Sequence, residues 1–424
     1  MNTSERFDPD GCVCDAEAKA GGLIPFETAV SMALDLALPV RETEWLPIEQ
    51  ATDRVLAGPV SAPAALPMFD SSAMDGYALR TRDLTGDGPW TLPVSGRTAA
   101  GDPADAGFAR GTALRILTGA AVASEADAVV TQEAVDVRAG RIILRRRPDP
   151  GSNIRRRGED LCRGDDVLPA GIAIGPRQAC ALAYCGAAEI EVRRKVRVAV
   201  FSTGSELRPP GAALGPGQIW NCNLSMLTAA LTQSWVEVVD LGAIPDRPDE
   251  LAETLAAALG QSADLIISTG GVSVGDEDHM RGVVCRAGGE IAALRIAMKP
   301  GKPVAVGRIG AAVFVGLPGN PVAAFVAWHM LGAPVLKRLG GIAAPRERLS
   351  RVRLGSGLSR FPGRCEFRPA RILGRDPGGL DIVGLLSSSF SARVGLLAAA
   401  DGLAVIPADA GRVPEGELLD FIRF

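Results

Sequence analysis

A strand, a glycine loop and an acidic helix start follow one another between Ala263 and Gly289, and no other stretch constrains the chain as much. The run ADLII at 263–267 reads as a buried strand, and STGGVSVGDED fills the loop from Ser268 to Asp278. Beyond it Met280, Val283 and Val284 recur at helical spacing until Gly288 and Gly289 end the pattern. Such a unit presents bare backbone N–H groups at the carboxyl end of a parallel strand. Gly270 and Gly271 let that backbone approach an anion with no Cβ in the way. An ordinary tight turn also uses a glycine pair. Gly275, Asp276, Glu277 and Asp278 in succession argue for more, because carboxylates beside an anion loop need a cation between them and the ligand.

The rest of residues 195–340 repeats the alternation. The strand VRVAVFS at 196–202 leads into the loop TGSEL, and Asn221 is placed to cap the helix CNLSMLTAALTQS. The strand VEVVDLG follows, and Pro248 opens the first turn of PDELAETLAAALG. Strand and helix alternating at this spacing predict a doubly wound parallel sheet, with FSTGSEL and TGGVSVG as neighbours at its carboxyl edge. MKPGKPVA at 298–305 sets Lys299 and Lys302 on either side of a Pro-Gly turn, and VFVGLPGNP leads into a long apolar helix. No G-x-G-x-x-G follows the first strand, which argues against a dinucleotide enzyme.

Around this domain the texture changes. Residues 1–22 are polar and acidic and read as a disordered tail, without the apolar core of a signal peptide. In 23–61 the spacing of Phe26, Val30, Ala33, Leu34 and Ala37 predicts a helix stopped by Pro39, and with 160–194 this segment forms a mixed α/β scaffold. Residues 62–159 interrupt that scaffold with a β-rich insertion (PWTLPVSG, GTALRIL, ADAVVTQEAVDV, RIILRRR) that shows almost no helical periodicity. Inside it FDSSAMDGYA packs hydroxyls, two aspartates and a glycine into one turn, Thr118-Gly119-Ala120 follows a strand, and GSNIRRRGED carries arginines able to clamp phosphate or to form a solvated edge. Residues 345–424 are short strands again, in the manner of a small β-barrel.

Composition limits the partners. With 424 residues, 47% hydrophobic, 4% aromatic and a net charge of −4, the chain is long enough for several cores and has no global basic field for nucleic acid. An anionic ligand must then be held by local groups. The most apolar tract, VAAFVAW at 322–328, is too short to span a bilayer. Eight scattered cysteines without C-x-x-C spacing read as reduced core residues, and two histidines, His279 and His329, are too few for a His-based metal site. The expectation is a cytoplasmic protein with no membrane and no nucleic-acid partner.

Seven strings occur in order along the chain: FDSSAMDGYA, RILTGA with ADAVVTQE, NIRRRGED, FSTGSEL, STGGVSVGDED, MKPGKP and GLPGNP. From about residue 23 to the C-terminus this pattern closely resembles the molybdopterin molybdenumtransferase family, the molybdenum insertases to which the C-terminal domain of gephyrin belongs. The resemblance implies a four-domain transferase subunit that forms a homodimer with a cleft shared between subunits. It also implies a reaction in which molybdate and adenylylated molybdopterin give molybdenum cofactor and AMP with the help of Mg2+.

Carried over position by position, it places catalytic roles on Asp75, Thr118, Asp160, Glu206, Asp246, Asp278 and Lys299. Substrate contacts fall on Ser72, Gly270, Gly271, Ser273, Gly275, Arg295, Lys302, Pro318, Asn320, Pro321, Arg364 and Ser388. Magnesium falls on Glu206, Asp246 and Asp278, with Asp75 in the same acidic set; Lys299, Lys302 and Arg155 to Arg157 supply positive potential for pyrophosphate and molybdate. This chain departs from the family pattern at Ser205, where an aspartate is usual, and at Arg295, where a lysine is common. Arginine keeps the charge and serves an electrostatic role, but not proton transfer. Molybdopterin adenylyltransferase, whose single domain resembles residues 195–340, lacks the β insertion and the terminal barrel. A non-catalytic scaffold for cofactor transfer would have no reason to keep Asp75, Glu206, Asp278 and Lys299. The expected partners beyond substrate are that adenylyltransferase and downstream molybdoenzyme maturation proteins.

Overall fold

The computed structural model describes residues 22–103, 108–271, 279–343, 349–386 and 392–424. The chain forms two compact units. One takes the chain up to Ala57, Ala170–Gly175 and Glu189–Phe424; the other takes Gly58–Pro169 and Pro176–Ala188.

The larger unit is built on a six-stranded sheet in the order Val236–Ile244, Val196–Thr203, Leu265–Thr269, Ala312–Leu317, Pro303–Ile309, Glu290–Arg295. The first four strands are parallel. Two-residue periodicity divides their side chains between two cores. Val198, Val200, Leu265, Ile267, Val313 and Val315 face one cluster, to which the helices Phe26–Leu36, Cys222–Leu231 and Pro321–Ala327 contribute Ala33, Leu227 and Ala324. Ala199, Phe201, Ile266 and Phe314 face the other, against Leu251 and Leu255 of Pro248–Gly260 and Met280, Val283 and Val284 of His279–Arg286. With helices on both faces, the sheet is doubly wound, as expected.

Local chemistry fixes several ends. The Asn221 side chain accepts the Leu224 N–H at 3.1 Å, the cap predicted for that helix. Pro248 sits in the first turn of its helix.

Two features go beyond the sequence reading. The last two strands of the sheet are antiparallel, pairing Arg308 with Val313 and Glu290 with Arg308. Only Gly310 and Ala311 separate Pro303–Ile309 from Ala312–Leu317, and a parallel partner needs a crossover of about a dozen residues. The long apolar helix expected after GLPGNP is divided: Pro321–Ala327 and Ala333–Leu339 are α-helical, and Trp328–Gly332 is a π-helical turn. Pro334 brings no N–H and its ring crowds the preceding turn, and the wider π turn absorbs this.

The C-terminal part closes into a five-stranded barrel. Cys365–Arg375 pairs with Asp381–Leu385 through its second half and with Gly402–Ile406 through its first half. Ser350–Leu354 and Leu418–Arg423 complete the ring, and Val352, Leu354, Ala370, Val383, Ala404, Ile406 and Phe421 fill it.

The smaller unit carries a six-stranded sheet in the order Ala128–Thr131, Gly76–Leu79, Ala113–Ile116, Trp90–Thr98, Arg141–Leu144, Val135–Arg138. Its two faces bury Tyr77, Leu79, Val130 and Ile142 on one side and Ala78, Leu114, Ile116 and Val129 on the other. Gly76 is required at its position, because a Cβ there would fall on the carbonyl oxygen of Val130. Among the described residues no helix is long and apolar enough to cross a membrane.

Candidate functional site

In chain order the first sheet strand, Val196–Thr203, lies inside the sheet, with the second, Val236–Ile244, on one side and the third, Leu265–Thr269, on the other. The strand order therefore reverses between Val196–Thr203 and Leu265–Thr269, and open α/β sheets bind ligands in the crevice at the carboxyl ends of such a pair. Gly270 and Gly271 lie there, with φ of +85° and +61°. A Cβ on Gly270 would stand 2.6 Å from the Thr203 carbonyl oxygen, and one on Gly271 would stand 3.0 Å from Thr203 Oγ1. Both the backbone conformation and the neighbouring strand thus demand glycine.

The adjacent loops converge on the same edge. Glu206 is exposed and its carboxylate folds back over Gly204, occupying the space where a Cβ would stand. Ser205 Oγ accepts a hydrogen bond from the Asp246 N–H at 3.4 Å, which ties the Glu206 loop to Asp246. The serine that replaces the usual aspartate therefore acts as a joint between two acidic positions. Pro318, Gly319 and Asn320 make the turn after Ala312–Leu317, with Pro321 opening the next helix, and Asn223 Nδ2 donates to the Gly319 carbonyl at 2.8 Å.

Beneath the loops lies a set of buried hydroxyls. Thr269 Oγ1 donates to Ser202 Oγ at 2.9 Å, and Ser202 Oγ donates to Asn221 Oδ1 at 3.2 Å. The hydroxyls of Thr203 and Ser268 are buried with no hydrogen-bond partner among the described residues. Sequence reasoning read FSTGSEL as a loop motif but gave Thr203 no part of its own. Its place directly before a glycine loop was the available signal.

Lys299 sits where the sheet hands over to the barrel. The hairpin between Glu290–Arg295 and Pro303–Ile309 runs out to Met298–Lys299, which pairs parallel with Cys365 and Glu366. Arg295 ends one arm opposite Pro303, and the Lys302 carbonyl accepts the Ile296 N–H at 2.8 Å across the hairpin base. Lys299 Nζ donates to Glu366 Oε1 at 3.2 Å. Arg360 Nη1 lies 3.4 Å from the same oxygen, and Arg368 Nε and Nη2 both reach Oε2 at 2.6 Å. Burial pushes the Glu366 carboxyl up, but the hydrogen bonds and charges of Arg368 and then Lys299 outweigh it and hold the group below its usual value. Glu366, Arg360 and Arg368 were missed in the sequence. Glu366 and Arg368 are two apart on a strand and so share a face, which was a readable sign. Arg364 is half-buried beside them, and its carbonyl accepts from Arg360 Nη1 at 2.6 Å.

In the smaller unit, Thr118 donates to Asp75 Oδ1 from its N–H at 2.8 Å and its hydroxyl at 2.7 Å. The Thr118 N–H, then its hydroxyl, hold the Asp75 carboxyl below its usual value. Ser72 is buried, donates to the Met74 carbonyl at 2.6 Å and accepts the Gly119 N–H at its own carbonyl, so the Asp75 and Thr118 turns are locked to each other. Asp70 accepts the Arg157 N–H at 2.8 Å and Arg156 Nη1 at 2.6 Å. Asp160 is exposed and stands beside Tyr184, whose hydroxyl is pushed up by desolvation and then by the charge and hydrogen bond of Asp160. Ser273, Gly275, Asp278 and Ser388 lie outside the described residues.

Three family regions match the chain in order: the MoeA N-terminal region (domain I and II) over 24–186, a "probable molybdopterin binding domain" over 199–338, and the MoeA C-terminal region (domain IV) over 351–424. A protein of Haemophilus influenzae named molybdopterin molybdenumtransferase is 41% identical over 71% of this chain and 74% of its own length. The chain belongs to the molybdopterin molybdenumtransferase family. A second member, molybdopterin molybdenumtransferase 2 of Mycobacterium tuberculosis, is 38% identical over 88% of this chain and 93% of its own. The crystal structure of a molybdopterin biosynthesis MoeA protein from Pyrococcus horikoshii superposes with a TM-score of 0.81 at 26% identity, covering 95% of this chain and 100% of that one.

Proposed function

We propose that this chain transfers molybdenum from molybdate into adenylylated molybdopterin, hydrolysing the adenylyl phosphoanhydride and releasing AMP. The observation that carries the reading is the pairing, on one sheet edge, of an anion loop that only glycine fits (Gly270 and Gly271 against Thr203) with a carboxylate folded over the neighbouring loop (Glu206 over Gly204). An anion cradle beside an acid is what a phosphate ester and a cation together require. The names carried by relatives at 41% and 38% identity support the molybdenum transfer.

Among the described residues no group of three or more His, Cys, Asp or Glu side chains is assembled for a metal. Glu206 and Asp246, held to one another through Ser205, still fit magnesium, which takes one or two carboxylates and completes its shell with water and phosphate oxygens. Asp278 is a further acid we assign to the site, directly or through the water shell of the ion. Bound there, magnesium supplies charge withdrawal from the phosphoanhydride. The protein's own groups do the rest. Gly271 offers its N–H to phosphate, as we assign Ser273 and Gly275 to do, while Gly270, whose own N–H is spent on the Leu317 carbonyl at 3.0 Å, leaves the approach free of a Cβ. Lys299, Lys302, Arg295 and Arg364, with Ser388, hold the molybdate dianion, and Pro318, Asn320 and Pro321 wall the crevice. Within the smaller unit we assign catalytic roles to Asp75 and Thr118, a fixed acid and hydroxyl, and to Asp160.

The proposal extends to assembly and place. We assign a four-part subunit (23–61 with 160–194, 62–159, 195–340 and 345–424), a cytoplasmic homodimer, and hand-over contacts with molybdopterin adenylyltransferase and molybdoenzyme maturation proteins. The test incubates purified protein with adenylylated molybdopterin and magnesium, with and without molybdate. AMP release that depends on molybdate is expected; release indifferent to molybdate, or none, overturns the reading. Sedimentation at micromolar concentration is expected to give a dimer, and a monomer alone would remove the shared cleft.

A further inference from the structure

We infer that Glu366 is the positioning residue for Lys299, acting through it on the substrate anion. The inference rests on the reading of Lys299 as a substrate-facing cation. Glu366 is 3% exposed, and its two oxygens are divided between its partners. Arg368 commits its fork to Oε2, while Arg360 and Lys299 share Oε1. Arg360 is itself fixed, donating from Nε to the Ala410 carbonyl at 2.8 Å, from Nη1 to the Arg364 carbonyl at 2.6 Å, and from Nη2 to the Pro407 carbonyl. The carboxylate is therefore immobile before Lys299 arrives.

Lysine has a flexible four-carbon stem and three donors on its ammonium. One donor is spent on Glu366, and the side chain is 37% exposed, so the remaining donors stand at the accessible side. Lys299 and Glu366 also face each other in the parallel pairing of Met298–Lys299 with the barrel strand, so backbone and side chain fix the same geometry. Three cations against one carboxylate leave a net charge of about two positive, which suits a dianion. Glu366 thus sets where the ammonium stands and lets three like charges share one site.

The experiment compares Lys299→Met, Glu366→Gln, Glu366→Asp and the double Lys299→Met/Glu366→Gln in AMP release, each normalised to folded protein by circular dichroism. Glu366→Gln is expected to lower kcat about tenfold or more with a much smaller change in KM for the pterin nucleotide. Glu366→Asp, which keeps a charge for both arginines, is expected to recover part of that loss. The double variant is expected to be no slower than Lys299→Met alone, because the glutamate acts through the lysine. Multiplicative losses in the double variant overturn the inference, as does wild-type kcat per folded molecule in Glu366→Gln. If Glu366→Gln does not fold, the cycle is run with Glu366→Asp and the same outcomes decide. Full activity in Lys299→Met would instead remove Lys299 from the site, a failure of the underlying reading that this set separates from a failure of the inference.

Discussion

Thr118 donates twice to the same oxygen of Asp75, from its backbone N–H at 2.8 Å and from its hydroxyl at 2.7 Å. The N–H is a property of the turn and survives any substitution but proline; the hydroxyl does not. Thr118→Val is isosteric and removes only the second donor. Because both bonds favour the charged form, Asp75 is a carboxylate at every pH above its ordinary value of 3.8 and for some way below it. We expect Thr118→Val to raise the Asp75 titration toward that value, visible by carboxyl carbon NMR, and to slow turnover about tenfold by loosening the acid. An acid limb that stays where it was would show the hydroxyl bond to be idle.

Gly270 and Gly271 meet Thr203 in different ways, and this separates two variants. A Cβ on Gly270 strikes the Thr203 carbonyl at 2.6 Å, which cannot be removed, as well as Thr203 Oγ1 at 2.8 Å, whereas the one tight contact of a Cβ on Gly271 is Thr203 Oγ1 at 3.0 Å. Either alanine also carries the strain of a left-handed backbone, about 1–2 kcal/mol. Thr203→Ala is therefore expected to rescue Gly271→Ala more fully than Gly270→Ala, where the carbonyl clash stays. Thermal unfolding of the two pairs checks this; equal rescue would mean the Thr203 carbonyl is no separate obstacle at Gly270.

These contrasts show which parts of the molecule were legible beforehand. Asn221, Pro248 and the glycine pair announce themselves because capping, proline geometry and positive φ are settled within a few residues. The doubly wound sheet follows from repeated local patterns of that kind. The partnership of Glu366 with Lys299 was not legible, since 67 residues separate them and only the pairing of Met298–Lys299 with the barrel strand brings them together. The π turn at Trp328–Gly332 was hidden for a different reason: an apolar run keeps helical periodicity whether its turns are α or π. Asp75 and Thr118, 43 residues apart, were named through resemblance, and their shared oxygen is a fact of the fold alone.

Asp70 secures the arginine turn in the same manner. It accepts the Arg157 N–H and the Arg156 guanidinium, and the Arg157 bond is the main cause of its lowered titration, against an opposing push from burial. The sign follows directly. A depressed carboxyl stabilises the native state fully above its ordinary value of 3.8, and that contribution fades as the pH falls through the lowered value. Asp70→Asn should therefore be less stable than the parent at pH 7, with the difference vanishing in strong acid. The Arg156 pair is substantially exposed, so its share is at most about 1 kcal/mol. Urea midpoints at pH 7 and in strong acid measure the difference, and a gap that persists in strong acid would rule out the charge as its source.

Cys365 supplies the last test, because it stands next to Glu366 and opposite Met298. Desolvation, helped by the charge of Glu27 and opposed by that of Arg360, pushes its thiol up to about 12. At pH 8 the thiolate is then roughly one part in ten thousand. Cys162, Cys180, Cys222 and Cys285 are exposed. Brief alkylation of the native protein at pH 8, read by mass spectrometry, is expected to label these four and spare Cys365, which should react only after denaturation. Labelling of Cys365 at the rate of Cys162 would mean that the junction between sheet and barrel opens readily.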